Sequence, residues 1–331
     1  MNILIARFSA MGDVAMTVPV IHSLASQYPD HQFTVLTRRH LVPLFQWMPS
    51  NVKCKGIDLS SYKGIPGLER LYRSLKADKY DAFADIHDVL RTKYLRMRFR
   101  LDGKRVVTID KGRSEKKALI GNGMTAGALK PMTERYRETF KGLGLDFQLT
   151  FCDMRQYLQN MDKSDSVVKT IGVAPFAAHA GKIYPLDRMK QVVDMLADKG
   201  YQIRLFGAGN KEQEILESWQ RDGVESVAGK LGGLTGELQL MSRLSLMISM
   251  DSSNMHMAAM MGTPTLSVWG ATHPKAGFLA WHQSVDSAVQ IDLPCRPCSV
   301  YGNKPCQFGD FRCLTGITPE MIVDKAETIV S

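Results

Sequence analysis

The chain has 331 residues, 44% of them hydrophobic and 23% charged, with a formal net charge of +9. That balance excludes a disordered or fibrous protein, and the length suits two domains of about 150 residues better than one. The surplus positive charge points to an anionic partner, whether nucleic acid, phosphorylated lipid or an acidic membrane leaflet.

The opening MNILIARFSAMGDV reads as a buried first strand and not as an export signal. No uninterrupted run of about 18 apolar residues occurs, so no segment is expected to cross a bilayer as a helix. In the first half, NILIARF, FTVLTR and DAFADI have the apolar character of strands, with helices predicted from Ala15 to Gln27 and Ile65 to Lys76. A polar stretch without apolar period, 156–169, reads as a linker. In the second half, TIGVAPF, YQIRLFGA, ESVAGK, LMISMD and PTLSVWG alternate with helices from Leu186 to Lys199, Lys211 to Arg221 and Gly236 to Arg243. Strand and helix alternate throughout, which is the pattern of parallel sheets covered by crossover helices. The closing TPEMIVDKAETIV reads as a terminal helix with Met321, Ile322, Ala326 and Ile329 on its apolar face.

The polar residues of interest fall where strands end. After the first strand, a turn through Ser9 and Gly12 brings up Asp13, which serves either as a helix cap or as a group facing a ligand. In VAPFAAHAGKIYPLDRM, Lys182 precedes a helix and suits a phosphate, its plainer reading being a solvated lysine. In ISMDSSNMHMAAMM, Asp251 ends a strand, and the amides of Ser252, Ser253 and Asn254 form an anion cradle. His256 follows on the next helix, as a pocket residue or a buried core histidine. FGAGNKE lacks the third glycine of a dinucleotide fingerprint, which counts against an oxidoreductase. Its Glu212 suits the hydroxyls of a ribose or is an ordinary first-turn acid.

DVLRTKYLRMRFRLDGKR places Leu90, Tyr94, Met97 and Leu101 on one helical face and Lys93, Arg96, Arg100 and Lys104 on another. The basic face is expected to be exposed, for a phosphorylated acceptor, an anionic membrane or simple solubility. Its few aromatic residues speak against a nucleic-acid partner. Cys295, Cys298, Cys306 and Cys313, spaced C-x2-C-x7-C-x6-C, match a tetrahedral zinc site in number, though not the compact pairing of a zinc ribbon. Cys54 and Cys152 read as packing residues.

In order, RFSAMGD, DIHDVLRTKY, GKIYP, and DSSNMHMAAMMGTP followed by WGATHP resemble the motifs of the ADP-heptose lipopolysaccharide heptosyltransferases, glycosyltransferase family nine. The resemblance departs from that family at Ser253, where a glycine is usual, and so raises the question of a positive φ there. It implies a GT-B fold of α/β class, with two facing Rossmann-like domains and a deep cleft. The domains expected are 1–160 for the acceptor, 161–317 for the nucleotide sugar, and 318–331 as a helix packing back on the first. It implies an inverting transferase that moves a sugar, heptose from ADP-heptose foremost, to a phosphorylated glycolipid of lipid A-core type. Asp13 is then the general base. Lys182, Asp251, Ser252, Ser253, Asn254 and His256 hold the nucleotide sugar and Glu212 its ribose, while Arg91, Lys93 and Arg96 hold the acceptor. No cofactor is required for the chemistry, and the four cysteines are the candidates for a structural zinc. The expected setting is the cytoplasm, peripheral to the inner membrane. Another nucleotide-sugar donor, or a non-catalytic binding protein, is the alternative.

Overall fold

The computed structural model describes residues 1–123, 127–158 and 169–331. Most of the predicted linker therefore lies outside the described residues. The chain divides into two compact units, the first from Met1–Lys111 and Met132–Cys152, the second from Gly112–Pro131 and Asp153–Ser331. The expected boundary at residue 160 thus falls a few residues late. The segment 112–131 also belongs with the second unit and not the first.

The first unit carries strands β1 (Asn2–Ala6), β2 (Gln32–Arg38), β3 (Val52–Ile57), β4 (Ala82–Asp85) and β5 (Arg105–Thr108). Its helices are α1 (Met11–Ala15), α2 (Thr17–Gln27), α3 (Gly64–Lys76), α4 (Leu90–Leu101) and α6 (Met132–Lys141), while α5 (Arg113–Asn122) lies in the second unit. All strand pairs are parallel, in the order β3-β2-β1-β4-β5. A parallel sheet is covered on both faces, so its central strands are continuously apolar, as Ile3, Leu4, Ile5 and Ala6 are. The edge strands β3 and β5 were not predicted, because VKCKGI and RVVT mix exposed cations with short apolar stretches.

The second unit holds β6 (Thr170–Ala174), β7 (Gln202–Leu205), β8 (Val224–Ser226), β9 (Leu246–Met250), β10 (Thr265–Val268) and β11 (Ala288–Val289), again parallel, in the order β11-β10-β9-β6-β7-β8. Its helices are α7 (Leu186–Asp198), α8 (Asn210–Glu217), α9 (Leu234–Met241), α10 (Ser253–Met260), α11 (Arg312–Thr315) and α12 (Pro319–Val330). Helix α12 starts at the cap of Thr318, whose Oγ1 accepts from the Met321 amide, with Pro319 in its first turn.

The terminal helix does not follow its expected destination. It buries Ile322, Val323, Ala326 and Val330 in the second unit's own core, against α7 and β9, and Lys199 on the chain after α7 reaches Glu327 at 3.0 Å. Its buried face is rotated from the predicted one, leaving Met321 exposed. Among the described residues no helix is long and apolar enough to cross a membrane.

Candidate active site

Ligands of open parallel sheets collect outside the carboxyl ends of the strands, where the strand order reverses. In the second sheet that point lies between β6 and β9. Lys182 follows β6 and Asp251 follows β9, and Lys182 Nζ meets Asp251 Oδ2 at 2.8 Å, with side chains 16% and 6% exposed. Tyr184 holds the lysine's loop in place: its ring is buried and its hydroxyl donates to the Ile317 carbonyl at 3.0 Å. Ser252 is the N-cap of α10, Ser253 and Asn254 are its first residues, and Ser252 Oγ lies 3.0 Å from Ser249 Oγ. Ser253 is an ordinary helical residue outside the positive-φ set, so the departure from glycine needs no left-handed backbone.

His256 is buried in α10. Glu212, in the first turn of α8, accepts from the Ala208 amide through Oε2 at 2.7 Å, which ties down the turn after β7. The sequence-predicted residues of this half thus gather at the ends of β6, β7 and β9.

The four cysteines expected as metal ligands, Cys295, Cys298, Cys306 and Cys313, lie in the segment after β11. Among the described residues no three Cys, His, Asp or Glu side chains converge as a metal site, and all four thiols are free. Cys298 Sγ points to the Ala271 carbonyl at 3.8 Å, and Cys306 Sγ lies 4.0 Å from Asp310. Cys313 is packed in the apolar core, where burial pushes its thiol up to about 11. A zinc site needs four thiolates turned to one point, and Cys298, Cys295 and Cys306 all lie near enough to Cys313 to raise its thiol electrostatically.

The same loop supplies Arg296, which sequence reasoning passed over. It is fully buried, and its guanidinium donates to the carbonyls of Gly270 at 2.6 Å, Thr272 at 2.9 Å and Trp269 at 3.3 Å, to Gln290 Oε1 at 3.0 Å, and to the Ile291 carbonyl. It thereby pins the turn after β10. The Ala271 amide in that turn donates to Gly181 at 2.8 Å, and Gly181 precedes Lys182. A Cβ on Gly181 would fall 2.8 Å from the Gly302 carbonyl and 2.9 Å from Ala271 Cβ, so only glycine allows these segments to meet.

In the first sheet the order reverses between β1 and β4. Asp13 lies in α1, just beyond β1. Its Oδ2 takes both the Arg7 guanidinium at 2.8 Å and the Ala10 amide at 3.2 Å. The cap and the ligand-facing readings are therefore compatible, because both contacts fall on one oxygen and leave Oδ1 for a proton. Arg7 is buried, donates to the Ile86 carbonyl at 2.7 Å and lies over the Tyr136 ring.

Beyond β4, Asp85 and His87 complete this half. Asp85 is fully buried and accepts from the His87 and Asp88 amides at 3.0 and 2.8 Å. Burial raises its carboxyl pKa against the pull of those amides and Arg96. His87 accepts from the Phe8 amide through Nδ1 and faces Ser9 Oγ through Nε2, both at 3.4 Å. The signal for both was present, since DIHD directly follows a strand, but only the strand order shows that this strand adjoins β1.

Burial, then Arg7 and Lys111, push the His87 imidazole down to about 3 from 6.5. The unfolded chain consequently binds more protons than the folded one between those values, so this contribution to stability is full above pH 6.5 and declines as pH falls toward 3. Thermal unfolding of His87→Asn is expected to show a shallower loss of Tm than wild type across this window. Parallel curves would show that His87 titrates without consequence for the fold.

Helix α4 departs from expectation. Its core-facing residues are Thr92, Leu95 and Phe99, whereas Leu90 and Leu101 are 83% and 70% exposed. Arg91 and Lys93 are exposed, but Arg96 is not an open acceptor ligand. Its guanidinium is held by Thr108 Oγ1 at 2.8 Å, Asp88 at 3.2 Å and Asp85 at 3.4 Å, with 16% of its side chain exposed. Buried Asp85 needs that cation, because an unpaired buried carboxylate is costly.

Two doubly wound parallel sheets with polar residues gathered at their carboxyl ends are the architecture of the GT-B fold. Residues 68–307 match the profile of glycosyltransferase family 9 (heptosyltransferase), and the chain belongs to that family. It is 26% identical to lipopolysaccharide heptosyltransferase 3 of Escherichia coli over 286 residues, covering 79% of this chain and 81% of that one. In fold it is similar to the E. coli heptosyltransferase WaaC with ADP, at a TM-score of 0.73 and 19% identity over 99% of this chain and 100% of that one. The same enzyme solved with ADP-2-deoxy-2-fluoro heptose gives the same TM-score and identity, covering 99% of each chain.

Proposed function

We propose that the chain transfers heptose from ADP-heptose to a phosphorylated glycolipid of the lipopolysaccharide core, inverting the anomeric carbon. Asp13 Oδ1 takes the proton of the acceptor hydroxyl as its oxygen bonds to the anomeric carbon. The bond from that carbon to the diphosphate oxygen breaks, and ADP leaves with the electron pair. The reading rests above all on the Lys182–Asp251 pair at 2.8 Å beside the first amides of α10. An ammonium carries three donors; one meets Asp251, and two remain for diphosphate oxygens. Charge grows on those oxygens as the bond breaks, so a fixed cation and aligned amides favour the transition state over the bound donor. This reading assigns the electrostatic work to Lys182, Ser252, Ser253 and Asn254 and requires no divalent cation. Glu212 Oε1 is left for the ribose, since Oε2 is engaged by Ala208.

Arg91 and Lys93 are the acceptor's phosphate ligands in this reading, and Arg96 holds the loop behind them. The acceptor is lipid-anchored, which places the reaction at the cytoplasmic face of an anionic membrane. Support comes from the family match and from relatives named as lipopolysaccharide or lipooligosaccharide heptosyltransferases.

Calorimetric titration with ADP, UDP, GDP and CDP tests the donor half. Selective ADP binding is expected, weakened about tenfold or more in Lys182→Ala, the loss of one charged hydrogen bond of about 1.5–3 kcal/mol. If no nucleoside diphosphate binds, the proposal fails.

A further inference from the structure

Helices α3 and α4 lie side by side. Glu69 accepts from Tyr94 at 2.8 Å and pairs with Arg98 at 3.1 Å, and the Tyr72 and Phe99 rings meet edge to face at 5.3 Å. Helix α3 exposes Ile65 by 69%, and α4 exposes Leu90, Met97 and Leu101 by 83%, 48% and 70%. On α4 the three apolar residues recur at i, i+7 and i+11, which places them in one narrow stripe along the helix. Lys93 and Arg100 flank the stripe on one side and Arg91 on the other, all exposed. Helix α4 has no acidic residue, and Glu69, the one acid within either helix, is already engaged by Arg73, Arg98 and Tyr94. The surface is therefore apolar along its ridge and positive along its margins, with no exposed carboxylate within either helix.

We propose that this face of α4 docks on the surface of an anionic lipid bilayer, with the apolar ridge entering the headgroup region, Arg100 meeting lipid phosphates, and Arg91 and Lys93 meeting the phosphates of an acceptor held in the same bilayer. A helix with an apolar stripe and basic flanks lies in the interface plane and does not cross it. The positive margins match an anionic leaflet, whose potential attracts Lys and Arg close to the surface. Both helices begin where β3 and β4 end, so Ile65 and Leu90 stand at the same end of the unit as Asp13 and His87. The inference deepens the lipid-anchored acceptor proposed above, because such a surface holds the unit that carries Asp13 on the membrane that carries the acceptor.

The test is co-sedimentation of the full chain with vesicles of phosphatidylcholine alone and with added phosphatidylglycerol, comparing wild type with Leu90→Ser/Met97→Ser/Leu101→Ser. Wild type is expected to sediment with the anionic vesicles and not with the neutral ones, and the triple variant to bind them at least about tenfold more weakly. These side chains point outward, so ADP affinity is expected to be unchanged, which checks that the variant is folded. Equal vesicle binding by both proteins, or none by wild type, overturns the proposal. A concentration-dependent dimer in sedimentation velocity that the variant abolishes also overturns it, because a second copy is then the occupant. The vesicles contain no acceptor, so failure of transfer to a delipidated, water-soluble acceptor would sink the transferase reading while leaving the docking result standing.

Discussion

Asp13→Asn is expected to slow sugar transfer by about 10²–10⁴-fold, the usual contribution of a positioned general base, while ADP affinity stays within about twofold of wild type. Asparagine keeps the shape of the side chain and can still accept from the Ala10 amide, but it cannot take the acceptor's proton. It also loses the pairing with Arg7, a buried cation that keeps its hydrogen bond to Ile86 and its place over Tyr136. Any resulting loss of stability is visible in Tm, so stability and chemistry are separable. Single-turnover transfer is the measurement. A variant within tenfold of wild type at unchanged Tm would remove Asp13 from the role of base.

Arg296→Met is the second large effect. It is expected to cost about 3 kcal/mol or more of stability, because each orphaned buried acceptor carries a penalty of about 1–3 kcal/mol. Removing a buried charge offsets part of this, and burial already depresses the guanidinium pKa. Methionine nonetheless leaves the carbonyls of Gly270, Thr272, Trp269 and Ile291 without their shared donor. Since the pinned turn contacts Gly181, ADP affinity is expected to fall with stability. Arg296→Lys is expected to recover only part of both, because an ammonium cannot reproduce a planar fork. Denaturant unfolding and ADP titration measure the two effects, and a stability change below about 1 kcal/mol would mean that the turn holds itself.

Much of the second unit's site was legible because its residues follow apolar strands directly. Lys182, Asp251 and Ser252 stand just beyond strands that are buried along their length, and Glu212 beyond β7, whose Ile203 and Leu205 are buried; parallel sheets place such loops together. Arg296 was not legible. The nearest strand before it is the two-residue β11, too short to read from sequence, and its partners are mostly main-chain carbonyls, which leave no trace in residue type. The cysteine spacing matched a zinc site in number, and a spacing by itself says nothing about where the sulfur atoms point.

Hydrophobic patterning by itself determined the two alternating halves, the class of fold and the strand-end positions of Asp13, Lys182 and Asp251, because each depends on residues near one another in the chain. Tertiary structure alone decided that β1 adjoins β4, and so that His87 meets Ser9. It also decided that Arg96 serves Asp85, that α4 turns Leu90 and Leu101 outward, and that α12 stays with the second unit. These outcomes depend on strand order and on which surfaces of neighbouring helices are already covered, and both are set by contacts between residues far apart in sequence.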